Sequence, residues 1–186
     1  MRKKTVSVKQ LTMTALAAVL ICVCSWITVP AVIPFTLQTF AVFFVLLVLG
    51  GRDGTLAILL FILLGAAGLP VFSGFRGGIG HLLGPTGGYI GGFLLTGLIY
   101  WLLSHLDTRH HAVKYIALLL GLFFCYGAGT AWFAMVYANE GKSMRLMAIL
   151  STCVFPYVIP DMIKLVMAAV IAERVKKALK RISPEK

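Results

Sequence analysis

The sequence predicts an all-α integral membrane protein: six transmembrane helices with a re-entrant glycine-rich outer loop, in a single domain covering residues 1–186. Three observations lead there. First, 60% of the 186 residues are hydrophobic and only 12% are charged, which leaves too little polar surface for a water-soluble domain. Second, apolar runs near the length needed to cross a bilayer as helices recur at about 10–29, 36–50, 54–69, 85–104, 113–137 and 147–174. Third, the basic residues are segregated. With a cytoplasmic N-terminus, the inner side holds thirteen of the seventeen Lys and Arg, and Arg76, Lys142, Arg145 and Lys164 fall elsewhere. The positive-inside rule therefore accounts for most of the net charge of +11 and puts both termini in the cytoplasm. No soluble basic domain is left to bind nucleic acid.

The first span follows Met1-Arg2-Lys3-Lys4, and its apolar part from Leu11 to Val29 exceeds the h-region of a cleaved signal peptide. It is expected to remain as a helix. Pro30 and Pro34 end this span. Gln38 then enters the second span, where its amide can donate and accept hydrogen bonds, either to neighbouring helices or to a ligand.

Between Gly68 and Gly92, ten of twenty-five residues are glycine, which disfavours a continuous helix. The segment is too apolar for a solvated loop, and irregular backbone at membrane depth must be buried in protein or line a cavity. A re-entrant outer loop over a pocket meets both conditions. Pro85 suits the first turn of the fourth helix, and Gly84, Gly88 and Gly92 form a close-packing stripe along it. In the last span, Pro156 and Pro160 are each expected to kink or break the helix, directly before Asp161 and Lys164.

Asp161 lies deep in a predicted span, and Lys164 at i+3 shares its face. Thirteen residues separate Asp161 from Arg174, about 20 Å at 1.5 Å per residue, so the pair belongs in the outer half of the membrane. Ionisable groups at that depth point to function. A carboxylate accepts from urea or amide N–H groups, and an ammonium donates to a carbonyl or carboxylate. An internal pair that only clips helices together is the structural alternative. Arg76, in the glycine-rich segment, is placed to hold an anionic tail.

Other polar groups point to no chemistry. Cys22, Cys24, Cys125 and Cys153 lack disulfide or metal spacing and read as buried small side chains. His81 is a cavity candidate, whereas His105, His110 and His111 cluster with Asp107 and Arg109 in an inner loop. Val136 occupies the position where a phosphate loop ending at Gly141-Lys142-Ser143 needs its first glycine. No nucleophile, base and orienting group assemble, so neither an enzyme nor a protein-bound cofactor or metal is expected.

Four strings, Pro34-Phe35-Thr36-Leu37-Gln38, Gly68-Leu69-Pro70-Val71-Phe72, Gly84-Pro85-Thr86-Gly87-Gly88-Tyr89 and Asp161-Met162-Ile163-Lys164, resemble those of the BioY family, the substrate-binding S components of energy-coupling-factor biotin transporters. The resemblance covers about residues 8–178. It implies biotin capture from outside the bacterial cytoplasmic membrane, and association with a transmembrane coupling subunit and two cytoplasmic ATPases that alone bind ATP. It maps the family's acid and lysine onto Asp161 and Lys164, its lid onto Gly74 to Tyr89 with Gly77 and Gly78 as ligand contacts, and its polar lid residue approximately onto Arg76. In that picture Asp161 and Gln38 meet the ureido ring, Lys164 and Arg76 are available to its carbonyl or to the carboxylate, and Phe35, Phe72, Phe75, Tyr89 and Tyr157 are candidate walls. Family members often dock the coupling subunit through an Ala-x-x-x-Ala face; here Thr14, Ala15, Ala18 and Val19 stand in its place. The remaining alternatives are an S component for another small vitamin and a structural membrane protein.

Overall fold

A computed structural model describes residues 7–106, 111–142 and 144–182. They form eight helices and two short strands: α1 (Val8–Trp26), β1 (Thr28–Val29), β2 (Phe35–Thr36), α2 (Gln38–Leu49), α3 (Gly51–Ala66), α4 (Ile79–Leu83), α5 (Gly87–Leu106), α6 (His111–Asn139), α7 (Leu146–Cys153) and α8 (Phe155–Ile182). The predicted inner loop at 107–110 lies outside the described residues.

Among the described residues, four segments are long and apolar enough to cross a membrane: Val8–Trp26, Gly87–Leu106, Ala112–Asn139 and Leu146–Arg181, the last spanning α7 and α8. The chain is thus a multi-pass, mostly helical membrane protein. Its outer surface is accordingly apolar, with Phe123, Leu102, Ile159 and Val166 all more than 60% exposed, as expected where lipid replaces water. The second and third predicted spans correspond to α2 and α3, of 12 and 16 residues, which are short of the roughly 20 residues a full crossing takes.

α2 and α3 are separated by Gly50 alone, at φ +84°, a left-handed conformation that glycine adopts without a Cβ penalty. The chain folds back there, so that Gly54 abuts Val45 and Leu46. α5 packs along α6, α2 along α8, and α3 along both α1 and α5. Ile21, Phe43, Leu46, Ile58, Phe61, Tyr100 and Leu118 fill the centre, each almost completely buried. The glycine stripe serves the α5–α6 seam. Gly88 lies against Trp132 and Gly92 against Cys125, while Gly121 and Gly129 of α6 receive Thr96 and Tyr89 in return. Gly84 joins the seam through its carbonyl, which accepts from the Trp132 indole at 2.9 Å.

Two expectations need correction. The prolines of the last span do not break the helix at their own positions: α8 runs unbroken from Phe155 to Ile182. Pro156 occupies the first turn, where the missing N–H had no helical partner anyway, and Pro160 forfeits one bond. The break falls at Val154 (φ −125°, ψ −60°), between α7 and α8. On α1, Thr14 and Ala18 are not a free docking pair, because Ala18 is wholly buried in the bundle. Ala15 and Val19 remain on the exposed face.

Candidate functional site

β1 and β2 pair antiparallel, Thr28 with Thr36 and Val29 with Phe35, and carry the chain between Pro30 and Pro34 across the start of α8. This brings Thr36 to Lys164, 128 positions away, whose Nζ donates to the Thr36 carbonyl at 2.7 Å. The same ammonium donates to Asp161 Oδ1 at 2.8 Å and sits 4.0 Å from the centroid of the Phe35 ring, within cation–π range. Asp161 Oδ2 accepts from the Tyr126 hydroxyl at 2.5 Å. The carboxylate and ammonium are 4% and 5% exposed, so each charge is compensated inside the protein, as burial demands. Two acceptor positions remain on a carboxylate that has accepted two bonds.

Gln38 opens α2 and is also 5% exposed. Its Nε2 is buried without a hydrogen-bond partner among the described residues. A buried donor left unsatisfied costs roughly 1–3 kcal/mol.

These groups face one small cavity of about 70 Å³, lined also by Pro34, Ser73, Thr86, Tyr89, Phe93, Cys125, Cys153 and Tyr157. Tyr157 donates its hydroxyl proton to the Ile33 carbonyl, linking α8 to the hairpin beside the cavity, and its ring lies 6.1 Å from that of Phe35. Pro34, Ser73 and Thr86 also border an outer recess of about 500 Å³, which contains Arg76 and His81.

Of the predicted residues, Asp161, Lys164, Gln38, Tyr89 and Tyr157 line the cavity, and Phe35 backs the lysine. Arg76 lines the outer recess instead. Four others lie elsewhere. Phe72 is a core residue, completely buried, with its ring at Gly65 and edge-on to Phe61 at 5.4 Å. Phe75 is 64% exposed and stacks on Trp26 at 5.1 Å. Gly77 presses on the Leu69 carbonyl, which a Cβ would approach to 2.2 Å. Gly78, at φ +89°, sends its N–H to the Gly65 carbonyl at 2.7 Å. Both glycines close the loop onto the end of α3, and neither borders the cavity or the recess.

Sequence reasoning missed Tyr126, Thr39, Ser73, Thr86 and the two cavity cysteines. A tyrosine in an apolar helix carries one usable signal, since its buried hydroxyl needs a partner. The partner is a residue 35 positions away, which helical spacing alone does not reveal. His81, named as a cavity candidate, sits in the outer recess with its ring stacked on Phe72 at 5.3 Å and Nε2 3.5 Å from Thr86 Oγ1.

The comparisons with known proteins agree in both sequence and shape. The chain is 40% identical over 171 residues to the biotin transporter BioY of Thermotoga maritima, covering 91% of this chain and 96% of that one. It is 41% identical over 144 residues to a probable biotin transporter BioY of Pyrococcus horikoshii, covering 77% and 81%. Among solved structures, the S-component for biotin from an ECF-type ABC transporter superposes with a TM-score of 0.77 at 28% identity, over 91% of this chain and 92% of that one. The S component of a bacterial ECF transporter matches at a TM-score of 0.56 and 14% identity over 92% and 98%, a likeness of fold alone. The sequence profile of the BioY family matches residues 1–181, and the chain belongs to that family.

Proposed function

We propose that this chain is a substrate-capture subunit for biotin, without catalytic activity of its own. It binds the vitamin from the outer side of the bacterial cytoplasmic membrane and delivers it for import driven by partner subunits. The observation that carries the reading is the buried constellation of Asp161, Lys164 and Gln38 around one cavity. Biotin's ureido ring offers two N–H donors and one carbonyl. Asp161 has acceptor positions left for the N–H groups, and the unpartnered Gln38 amide or the Lys164 ammonium suits the carbonyl. The valerate carboxylate then extends toward the outer recess and Arg76.

The inner cavity of about 70 Å³ shares Pro34, Ser73 and Thr86 with the outer recess, so the bicyclic ring sits in the first and the alkyl chain runs toward the second. The Tyr126 hydroxyl is the internal donor that the ligand's N–H groups displace or join.

In the membrane, α2 and α3 complete a six-span arrangement with both termini cytoplasmic, and the glycine-rich segment from Gly74 to Tyr89 serves as the re-entrant lid. Energy comes from a transmembrane coupling subunit and two ATPases, docked on the exposed Ala15 and Val19 face of α1. Titration calorimetry of the purified chain with biotin tests the reading. Tight binding is expected, and Asp161→Asn should weaken it at least about a hundredfold, since hydrogen bonds to a charged group contribute roughly 1.5–3 kcal/mol each. Absence of heat with biotin but saturable binding of another vitamin would overturn the substrate. Asp161→Asn losing thermal stability with unchanged affinity would reduce the pair to a structural clip.

A further inference from the structure

A second polar pocket lies at the opposite end of the same helices. α2 runs from Gln38 to Leu47, α6 runs back from Tyr126 to Tyr115 and Lys114, and α8 runs from Asp161 to Glu173, Lys176 and Lys177. Eleven to sixteen residues of helix on α6 and α8 put this pocket about 16–24 Å from the candidate biotin site. It encloses about 360 Å³ between α2, α6 and α8. The small side chains of Ala169 and Ala172, which also line it, leave that space open.

Its charge is unbalanced. Three ammonium groups, Lys114, Lys176 and Lys177, meet one carboxylate, Glu173, and Glu173 Oε1 already accepts from the Tyr115 hydroxyl at 3.3 Å. Among the described residues none of these lysines has an ion-pair partner within 4.0 Å. Lys176 is nonetheless within electrostatic reach of both Lys114 and Glu173. The pocket therefore presents two positive charges in excess and several unused N–H donors. The surface leading to it is apolar. Ile159, Ile163, Val166 and Val170 follow one another at i+3 and i+4 spacing down α8, all 49% or more exposed, and the same spacing continues to Glu173 and Lys177. A ligand held here has a phosphate-sized anionic end among the lysines and hydrocarbon along α8.

We propose that this pocket binds a phosphoryl group, that of an anionic phospholipid whose acyl chains lie along the Ile159–Val170 face of α8. Basic pockets between transmembrane helices recognise lipid headgroups in this way. The site would fasten α2, α6 and α8 together at the end remote from the cavity.

The test titrates the purified full chain in detergent with phosphatidylglycerol, phosphatidylcholine or inorganic phosphate, read by native mass spectrometry and thermal unfolding. Phosphatidylglycerol is expected to bind saturably and raise the unfolding temperature, with phosphatidylcholine weaker by at least tenfold. Each of Lys114→Gln, Lys176→Gln and Lys177→Gln should weaken binding about fivefold, while Lys180→Gln, outside the pocket, should not. Saturation by inorganic phosphate with the same lysine dependence would support the phosphoryl site and assign it to a soluble anion. Equal binding of the two lipids, or an unchanged affinity in the triple lysine variant, would overturn it. Biotin affinity is measured on the same variants and is expected to be unchanged, which keeps this site separable from the transport reading.

Discussion

At Asp161 the fold buries charged side chains and leaves one amide donor without a partner, whereas between Gly68 and Gly92 it packs largely through close backbone contacts. The cavity draws Thr36, Gln38, Tyr126, Asp161 and Lys164 from the hairpin, α2, α6 and α8. The glycine-rich segment is closed mainly by backbone amides and carbonyls, Phe72 N–H to Arg76 at 2.9 Å and Gly78 N–H to Gly65 at 2.7 Å, with two indoles, Trp26 donating to Pro70 at 2.8 Å and Trp132 to Gly84 at 2.9 Å. The first region stores chemistry and the second stores shape. Substitutions should separate them: the cavity by affinity at constant fold, the glycine segment by fold.

The largest effect is expected in the glycine segment. A Cβ on Gly87 would lie 1.7 Å from the Leu82 carbonyl oxygen, while one on Gly91 meets nothing within 4 Å. Gly87→Ala should destabilise by about 3 kcal/mol, at the upper end of overpacking costs, and Gly91→Ala should be neutral or stabilising by up to about 1 kcal/mol through helix propensity. Thermal unfolding of both variants decides it, and equal behaviour would remove the argument from backbone contact.

Gln38→Leu should act in the opposite sense. It removes a buried donor that has no partner, so the unfolding temperature should hold or rise, while biotin affinity falls about tenfold to a hundredfold, the equivalent of a lost hydrogen bond and its desolvated partner. A parallel fall in stability and affinity would make Gln38 a packing residue and erase the contrast between the regions.

The smallest effect sits where the two regions meet. Burial, and then the Arg76 guanidinium, hold the His81 imidazole below its ordinary value of 6.5. The unfolded chain therefore takes up this proton at higher pH than the folded one, so the stabilisation is complete above about pH 6.5 and is lost as pH falls toward the folded value. The unfolding temperature should drop between pH 7 and pH 5, and His81→Gln should flatten that part of the profile. An unchanged profile would show that His81 does not report on the recess.

Much of this was legible before any coordinates. The spans from α1, α5, α6 and α8 follow from long, mainly apolar runs, and the Gly84–Gly88–Gly92 stripe follows from i+4 spacing, because both signals are local. Asp161 and Lys164 stood out for the same reason, as charges in an apolar helix. Proline misled for a physical reason. Its cost depends on whether the missing N–H would have had a partner, and in the first turn of α8 Pro156 had none to lose. Phe72 and Phe75 were unresolvable from composition, since an aromatic side chain fits a pocket wall, a core or a lipid-facing surface equally well. Only packing against Phe61 and Trp26 separates them.

Composition and local pattern by themselves determined that this chain lives in a bilayer, which end of each long helix is basic, and that one buried pair of charges in the last helix requires a reason. Those properties depend on residues a few positions apart along one helix. Tertiary structure alone decided what that pair touches. Tyr126, Thr36 and Gln38 reach the site across 35, 128 and 126 positions, respectively, the first two as direct partners of Asp161 and Lys164 and Gln38 as a wall of the same cavity. The hairpin turn, the Gly50 reversal and the α5–α6 seam bring them together. Hydrogen bonds act over about 3 Å, and no periodicity in a sequence encodes a distance of that size between separate helices.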